Sequence, residues 1–239
     1  MEGWSLAILG ILVGMQHAFE ADHLAAVSTL FSDKSSRGDF IKRGAVWGFG
    51  HTSSLLAICS VVLFFNLTIS PLMEAILELC VGLMVLILGI NLFRTIKRRS
   101  IHAHVHNHDN GKQHLHVHSH EATASHNPHF KKLPLLNQSQ KRLFKPFGIG
   151  LVHGAAGSGA LLLAIALSTN SLVSAMFSIV MFGAGSIIGM AALSFAVSYP
   201  LNIIGSISDK FQRLALTSVS LFAMVIGGNL IVVSLLTIR

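Results

Sequence analysis

The stretch that decides the fold is residues 71–93, PLMEAILELCVGLMVLILGINLF, in which two glutamates are the only charged side chains. About 20 consecutive apolar residues are enough to cross the hydrocarbon core of a bilayer as an α-helix. Similar blocks recur along the chain, without the alternating or heptad patterns of strands and coiled coils. We therefore predict six transmembrane helices, at residues 4–31, 43–65, 71–93, 146–167, 172–197 and 214–236.

The composition supports an all-α polytopic membrane protein. Of 239 residues, 52% are hydrophobic and 11% are charged, whereas a soluble domain has about 25% charged residues. The formal net charge of +7 does not indicate a nucleic-acid partner, because the cations lie in short connections between apolar blocks. The first block lacks a basic leader and carries His and Asp, so we expect it to be retained as a span rather than cleaved as a signal peptide.

The distribution of Lys and Arg predicts the topology. The connections at 66–70 and 168–171 contain neither residue. If the six spans cross the membrane in turn, sixteen of the seventeen Lys and Arg residues lie on one side of it, and Arg239 lies on the other. By the positive-inside rule that side is cytoplasmic. We therefore expect a protein of the cell (plasma) membrane with both termini outside the cell and the loop after the third span in the cytoplasm.

The two halves of the chain share three short motifs in the same order. These are GMQH at 14–17 and GLVH at 150–153, FGHTS at 49–53 and FGAGS at 182–186, LGINL at 88–92 and IGGNL at 226–230. Three spans per half is an odd number, which requires the halves to be inverted relative to each other. Inverted repeats are typical of transporters that bind their substrate near the midplane. We predict a first repeat at 1–99, a His-rich loop at 100–145 and a second repeat at 146–239.

Span one carries four ionisable side chains within seven residues: His17, Glu20, Asp22 and His23. One charge near the bilayer centre costs about 2.5–3.5 kcal/mol, and a divalent metal would compensate the carboxylates. Imidazole and carboxylate together suit nickel, cobalt or zinc. In a continuous helix Asp22 points away from the other three, so it either orients a histidine or reaches the ion because the helix unwinds locally. The alternative is a set of mutually paired polar residues that only fasten helices together.

Two further histidines are candidate metal ligands. His51 follows Gly50 in span two, and His153 corresponds to His17 in the repeat. The alternative roles are an interhelical hydrogen bond for His51 and close helix packing for His153. Asn91 and Asn229 match each other in the repeat, and we expect both to form hydrogen bonds between helices.

Glu74 and Glu78 lie one turn apart near the outer end of span three. We expect a solvated pair at the membrane interface. A metal-attracting vestibule is the alternative.

The loop between spans three and four holds ten of the fourteen histidines within 28 residues. They are His102, His104, His106, His108, His114, His116, His118, His120, His126 and His129. The tract has no apolar periodicity and cannot build a core, so we predict a flexible segment for loose metal capture, with an inert solvated loop as the alternative.

These motifs resemble those of the nickel/cobalt permease family. HAFEADHL at 17–24 resembles its signature, a His, four residues, then Asp-His in an early transmembrane helix, and FGHT at 49–52 resembles its second motif. The nearest subgroup is the short relatives linked to urease accessory and superoxide-dismutase nickel supply. The longer permeases usually have eight spans with the signature in the second, and the family often has Asp where this chain has Glu20.

The resemblance implies a secondary or facilitated Ni²⁺ permease, with Co²⁺ as an alternative cargo, and metallochaperone or urease-maturation proteins as partners. We predict uptake of the ion, no enzymatic activity and no cofactor beyond the transported metal. The His-rich loop also resembles the nickel/cobalt efflux branch, so export is one alternative and a metal-sensing or accessory membrane protein is another. A thiol–disulfide electron carrier would need cysteines in both halves, but Cys59 and Cys80 both lie in the first.

Overall fold

A computed structural model describes residues 3–30, 36–98, 104–107, 113–116, 138–156, 171–207 and 209–239. The helices are α1 (Gly3–His17), α2 (Ala21–Leu30), α3 (Arg37–Phe64), α4 (Pro71–Arg98), α5 (Gln138–Ala156), α6 (Leu172–Ile207) and α7 (Asp209–Ile238). Within these ranges the other regular structure is one antiparallel hairpin, formed by β1 (His104–Asn107) and β2 (Gln113–His116).

Four of these helices are long and apolar enough to cross a membrane. They are Gly38–Phe64, Pro71–Arg98, Leu172–Pro200 and Lys210–Ile238. Large apolar side chains such as Phe64, Val173 and Val225 project from the bundle surface, as lipid-facing residues do. The chain is thus a helical protein that crosses the membrane several times, as its sequence predicts.

The first predicted span is interrupted between α1 and α2. The amides of Phe19 and Glu20 donate to the carbonyls of Gln16 and His17, three residues back, at 3.0 and 3.1 Å. A tight turn therefore replaces the α-helical ladder. Span one is therefore not one continuous helix between residues 4 and 30, and the structure contains the local unwinding that was one of the two alternatives for Asp22.

The fourth predicted span also has different limits. α5 begins at Gln138, before the expected start at 146, and includes Pro146 in its interior. Hydropathy locates the apolar part of a helix, but it does not detect a polar extension beyond the bilayer. Residues 157–167 of this predicted span lie outside the described residues.

Close approach of backbones holds the bundle together. α1 packs on α6, α3 on both α5 and α6, and α4 on α7. A methyl group added to Gly14 of α1 would collide with the backbone of Phe182, and one added to Gly150 of α5 would collide with the backbone of Trp47. Small residues at such contacts let membrane helices pack closely, because lipid provides no hydrophobic force between them.

Candidate metal centre

The break in span one places three ionisable residues next to the helix ends. His17 is the last residue of α1, whereas Asp22 and His23 lie in the first turn of α2. A carboxylate is stabilised there by the exposed amides and the helix dipole. The backbone amide of His23 donates to Oδ1 of Asp22 at 2.9 Å.

Asp22 connects two histidines that are far apart in sequence. Its Oδ1 lies 3.1 Å from Nδ1 of His23, and its Oδ2 lies 2.8 Å from Nε2 of His153 on α5. Because a carboxylate only accepts, both ring nitrogens must donate to it. The second nitrogen of each neutral ring then carries a lone pair, which is the arrangement that suits metal-binding imidazoles.

Those second nitrogens have no hydrogen-bond partner in the described part of the chain. Nε2 of His23 and Nδ1 of His153 are both buried and unsatisfied, as is Nδ1 of His51. The three residues are 0–2% exposed. Buried polar atoms of proteins nearly always have a partner. The mutual pairing of these side chains is therefore incomplete, and the atoms left over are the ones that could bind a cation.

The four imidazoles form one cluster. The ring centroid of His23 lies 4.1 Å from that of His153, 4.7 Å from that of His17 and 5.3 Å from that of His51. Nε2 of His17 lies 3.3 Å from Nε2 of His51. His23 is thus the member in close contact with all three others.

Two triads in this cluster could hold a metal ion, and both contain His23. One is His17, His23 and His51, and the other is Asp22, His23 and His153. Within each triad, one ligand atom from every member lies within 4.8 Å of the others. Ligand atoms about 2.1 Å from one ion lie at most about 4.2 Å apart, so small side-chain movements would bring either triad onto a metal.

The cluster adjoins a cavity of about 350 Å³. His17, Glu20, Asp22, His23 and His153 line one side of it, whereas α4 and α7 form the other side. Asp22 and three of the histidines, His17, His23 and His153, therefore border an open cavity and do not lie in a sealed seam, an arrangement that would argue against a metal site.

An apolar cluster closes the opposite side of the histidine cluster. It is formed around Phe40 and Trp47 of α3, together with Met190 and Leu193 of α6. Trp47 is fully buried, and its ring lies 5.6 Å from that of His23 and 5.9 Å from that of His153. Sequence reasoning missed Trp47, although it lies one helical turn before His51 and so shares a face of α3 with it.

The structure brings together five of the six predicted ligands: His17, Asp22, His23, His51 and His153. Glu20 is different. Its Oε1 lies 2.8 Å from Nδ1 of His17, but its side chain is 56% exposed and belongs to neither triad. The local break explains the difference, because the predicted shared face of His17, Glu20 and His23 assumed an unbroken helix.

Part of the His-rich loop is also described. The hairpin pairs His104 with His116 and His106 with His114. The expected lack of regular structure is therefore wrong for these eight residues, where alternation of His with other residues fits the two-residue period of a strand. The remaining loop histidines lie outside the described residues: His102, His108, His118, His120, His126 and His129.

Comparisons with known proteins agree with the resemblance seen in the motifs. A family model described as high-affinity nickel-transport protein (NicO) matches residues 3–239. The urease accessory protein UreH of Bacillus sp. (strain TB-90) is 30% identical over 203 residues, which cover 83% of this chain and 78% of that protein. No solved structure matches the chain significantly.

Proposed function

The chain belongs to the high-affinity nickel-transport protein family and is a membrane transporter of nickel, and from this premise we propose that it takes up Ni²⁺ through the cluster formed by His17, Asp22, His23, His51 and His153. Co²⁺ is an alternative cargo, since it prefers the same ligands. Glu20 lies at the edge of this route, where it contacts His17.

One observation carries this assignment: His23, His51 and His153 have buried, unpartnered nitrogens, and two of these residues, His23 and His153, line a cavity. A dehydrated divalent ion there would bind the nitrogens that lack hydrogen bonds. Its positive charge would also offset the energetic cost of the Asp22 carboxylate in the low dielectric of the bilayer. Because His23 belongs to both triads, an ion that changes its other ligands could move between them without leaving His23.

We further propose six spans arranged as two inverted repeats, at 1–99 and 146–239, joined by the loop at 100–145. The packing supports this architecture. The contact of α1 with α6 has a counterpart in the contact of α5 with α3, as a pseudo-twofold axis requires. Gly14 and Gly150, which correspond in the repeat, each meet the backbone of the partner helix.

The proposed orientation places both termini outside and the His-rich loop in the cytoplasm. The cavity lies toward the end of the bundle where residues 65–70 join α3 to α4, a connection without Lys or Arg. The apolar cluster around Trp47 lies toward the cation-rich end. In the proposed orientation the cavity would face the outer side, as the loading conformation of an importer requires.

The histidines at 102–120 are proposed to capture and buffer the metal after it has crossed. Alternating ligands without a fixed geometry suit weak, rapidly exchanging binding. Metallochaperone or urease-maturation proteins are the proposed recipients, in keeping with the name of the relative, urease accessory protein.

Accumulation of radiolabelled nickel by cells that express the protein tests the proposal. His17→Ala and Asp22→Asn should abolish accumulation, whereas Asp39→Asn, which changes an exposed carboxylate bound by Ser36, should not. Normal transport by both site variants would refute the site. Direction is tested by growth in toxic nickel: an importer sensitises cells, and protection would establish export instead.

A further inference from the structure

The side of the cavity that faces the histidines carries a carboxylate without an assigned role. α4 and α7 contribute five lining residues, namely Glu78, Val81, Ile226, Asn229 and Leu230. Three of these are apolar. Glu78 and Asn229 are the polar ones, and they come from different helices that pack against each other.

Glu78 and its neighbour Glu74 have different surroundings. They are one turn apart on α4, and from the sequence a solvated pair was expected, with a metal-attracting vestibule as the alternative. Glu78 lines the cavity, whereas Glu74 is not among its lining residues in the described part of the chain. The two glutamates therefore provide a natural comparison, because they share a helix and a charge and lie one turn apart.

Glu78 lies between one end of the bundle and the histidine cluster. It is seven residues from the start of α4 at Pro71, a depth of about 10 Å at 1.5 Å per residue. His51 is thirteen residues from the end of α3 at Phe64, a depth of about 20 Å. These helix ends are joined by residues 65–70, so both depths are measured from the same side.

We propose that Glu78, with Asn229 on the same side of the cavity, forms an outer binding station that receives the hydrated divalent cation before the histidines bind it. This inference rests on the proposed function and assigns a second position on the same route. His23 and His153 line the same cavity, and each has a buried nitrogen without a partner in the described part of the chain.

The Glu78 position and the histidine cluster differ in chemistry, as is required if the cation loses its bound water in steps. A carboxylate and an amide oxygen can hold a cation that keeps its water, through hydrogen bonds to the coordinated water molecules. The imidazole nitrogens, in contrast, must bind the metal directly and replace that water. A negative charge within apolar walls also concentrates the field and raises the local concentration of cations.

The station should control how readily dilute nickel is captured, not how fast the bound ion moves on. Initial rates of nickel uptake into proteoliposomes containing the purified full chain measure this. We expect Glu78→Gln to raise the KM for Ni²⁺ roughly tenfold, with Vmax changed less than twofold. Glu74→Gln should keep the wild-type KM, and Glu78→Asp should restore most of it.

The dependence of KM on ionic strength distinguishes an electrostatic role of Glu78 from a purely structural one. The wild-type KM should rise with ionic strength, and in Glu78→Gln that dependence should be weaker. The proposal is overturned if Glu78→Gln and Glu74→Gln have the same KM. It is equally overturned if Glu78→Gln lowers Vmax alone, or if Glu78→Asp is as impaired as Glu78→Gln.

Asp22→Asn and His23→Ala in the same liposomes separate the two proposals. If these variants are inactive and Glu78→Gln behaves as wild type, the outer station fails and the histidine site stands. If they transport normally while Glu78→Gln has the raised KM, the histidine site fails and the carboxylate position stands.

Discussion

Oδ2 of Asp22 lies 2.8 Å from Nε2 of His153, although 131 positions separate the two residues in the chain. The same carboxylate contacts His23 through its other oxygen. One side chain therefore sets the ring orientation of two histidines from opposite halves of the protein, and it leaves Nε2 of His23 and Nδ1 of His153 available to a metal.

Asp22→Asn should weaken nickel binding because an amide has only one oxygen to accept these two N–H groups. One histidine would then lose its orientation and tautomer. Loss of a carboxylate that orients metal-binding histidines costs about 10–100-fold in affinity. Calorimetric titration of the purified protein with nickel measures this. Asp39→Asn is the control, and an unchanged affinity in Asp22→Asn would exclude the orienting role.

His23→Ala should impair nickel binding more than either His51→Ala or His153→Ala. His23 belongs to both triads, whereas His51 and His153 each belong to one. Removing a shared ligand leaves neither triad complete, but each of the other changes leaves one intact. Nickel titration of the three variants should rank them in this order. Equal losses would mean that one site uses all the histidines at once.

Gly150→Ala should destabilise the protein, because its methyl group would meet the backbone of Trp47 and His51. Overpacking of this kind costs about 1–3 kcal/mol. Gly148→Ala is a matched control two residues away, since nothing lies within 4 Å of its added carbon. Thermal unfolding in detergent should show a lower Tm for Gly150→Ala. If the two variants have the same Tm, α3 and α5 can separate more easily than their packing suggests.

Deletion of residues 102–129 should leave transport intact but alter its regulation or apparent affinity. The deleted tract contains the hairpin and the loop histidines, whereas the described metal cluster lies on α1, α2, α3 and α5. Nickel uptake as a function of external concentration measures the effect, after insertion of the variant into the membrane has been verified. Complete loss of transport in a correctly inserted variant would place the loop on the transport route itself.

The members of the buried cluster could be singled out from the sequence because ionisable residues are rare in hydrocarbon. His17, Asp22, His23, His51 and His153 stand out in apolar blocks, and the cost of placing such groups in a bilayer requires an explanation for each. Glu20 met the same criterion, yet it lies at the exposed edge of the cluster. Spacing along an assumed helix could not separate it from the others, since the helix ends at His17.

The pairing of these residues could not be predicted. Asp22 had two alternative roles in the sequence, and the structure combines them: the helix unwinds, and the carboxylate orients histidines. Trp47 was not assigned to the site, and Glu78 could not be distinguished from Glu74 as part of a vestibule, because nothing in a linear pattern shows which residue faces a cavity. Glu74 and Glu78 are equivalent in sequence, and only the packing of α4 against α7 distinguishes them.

The sequence by itself determined that the chain spans a membrane through helices and that imidazole and carboxylate groups occur within its apolar segments. Each of these follows from the cost of removing a polar or charged group from water, which is a property of the local residues. The tertiary structure decided which lone pairs remain free, where the cavity lies and which glutamate reaches it. Those features depend on distances between helices, and contacts across 131 residues leave no trace in local composition.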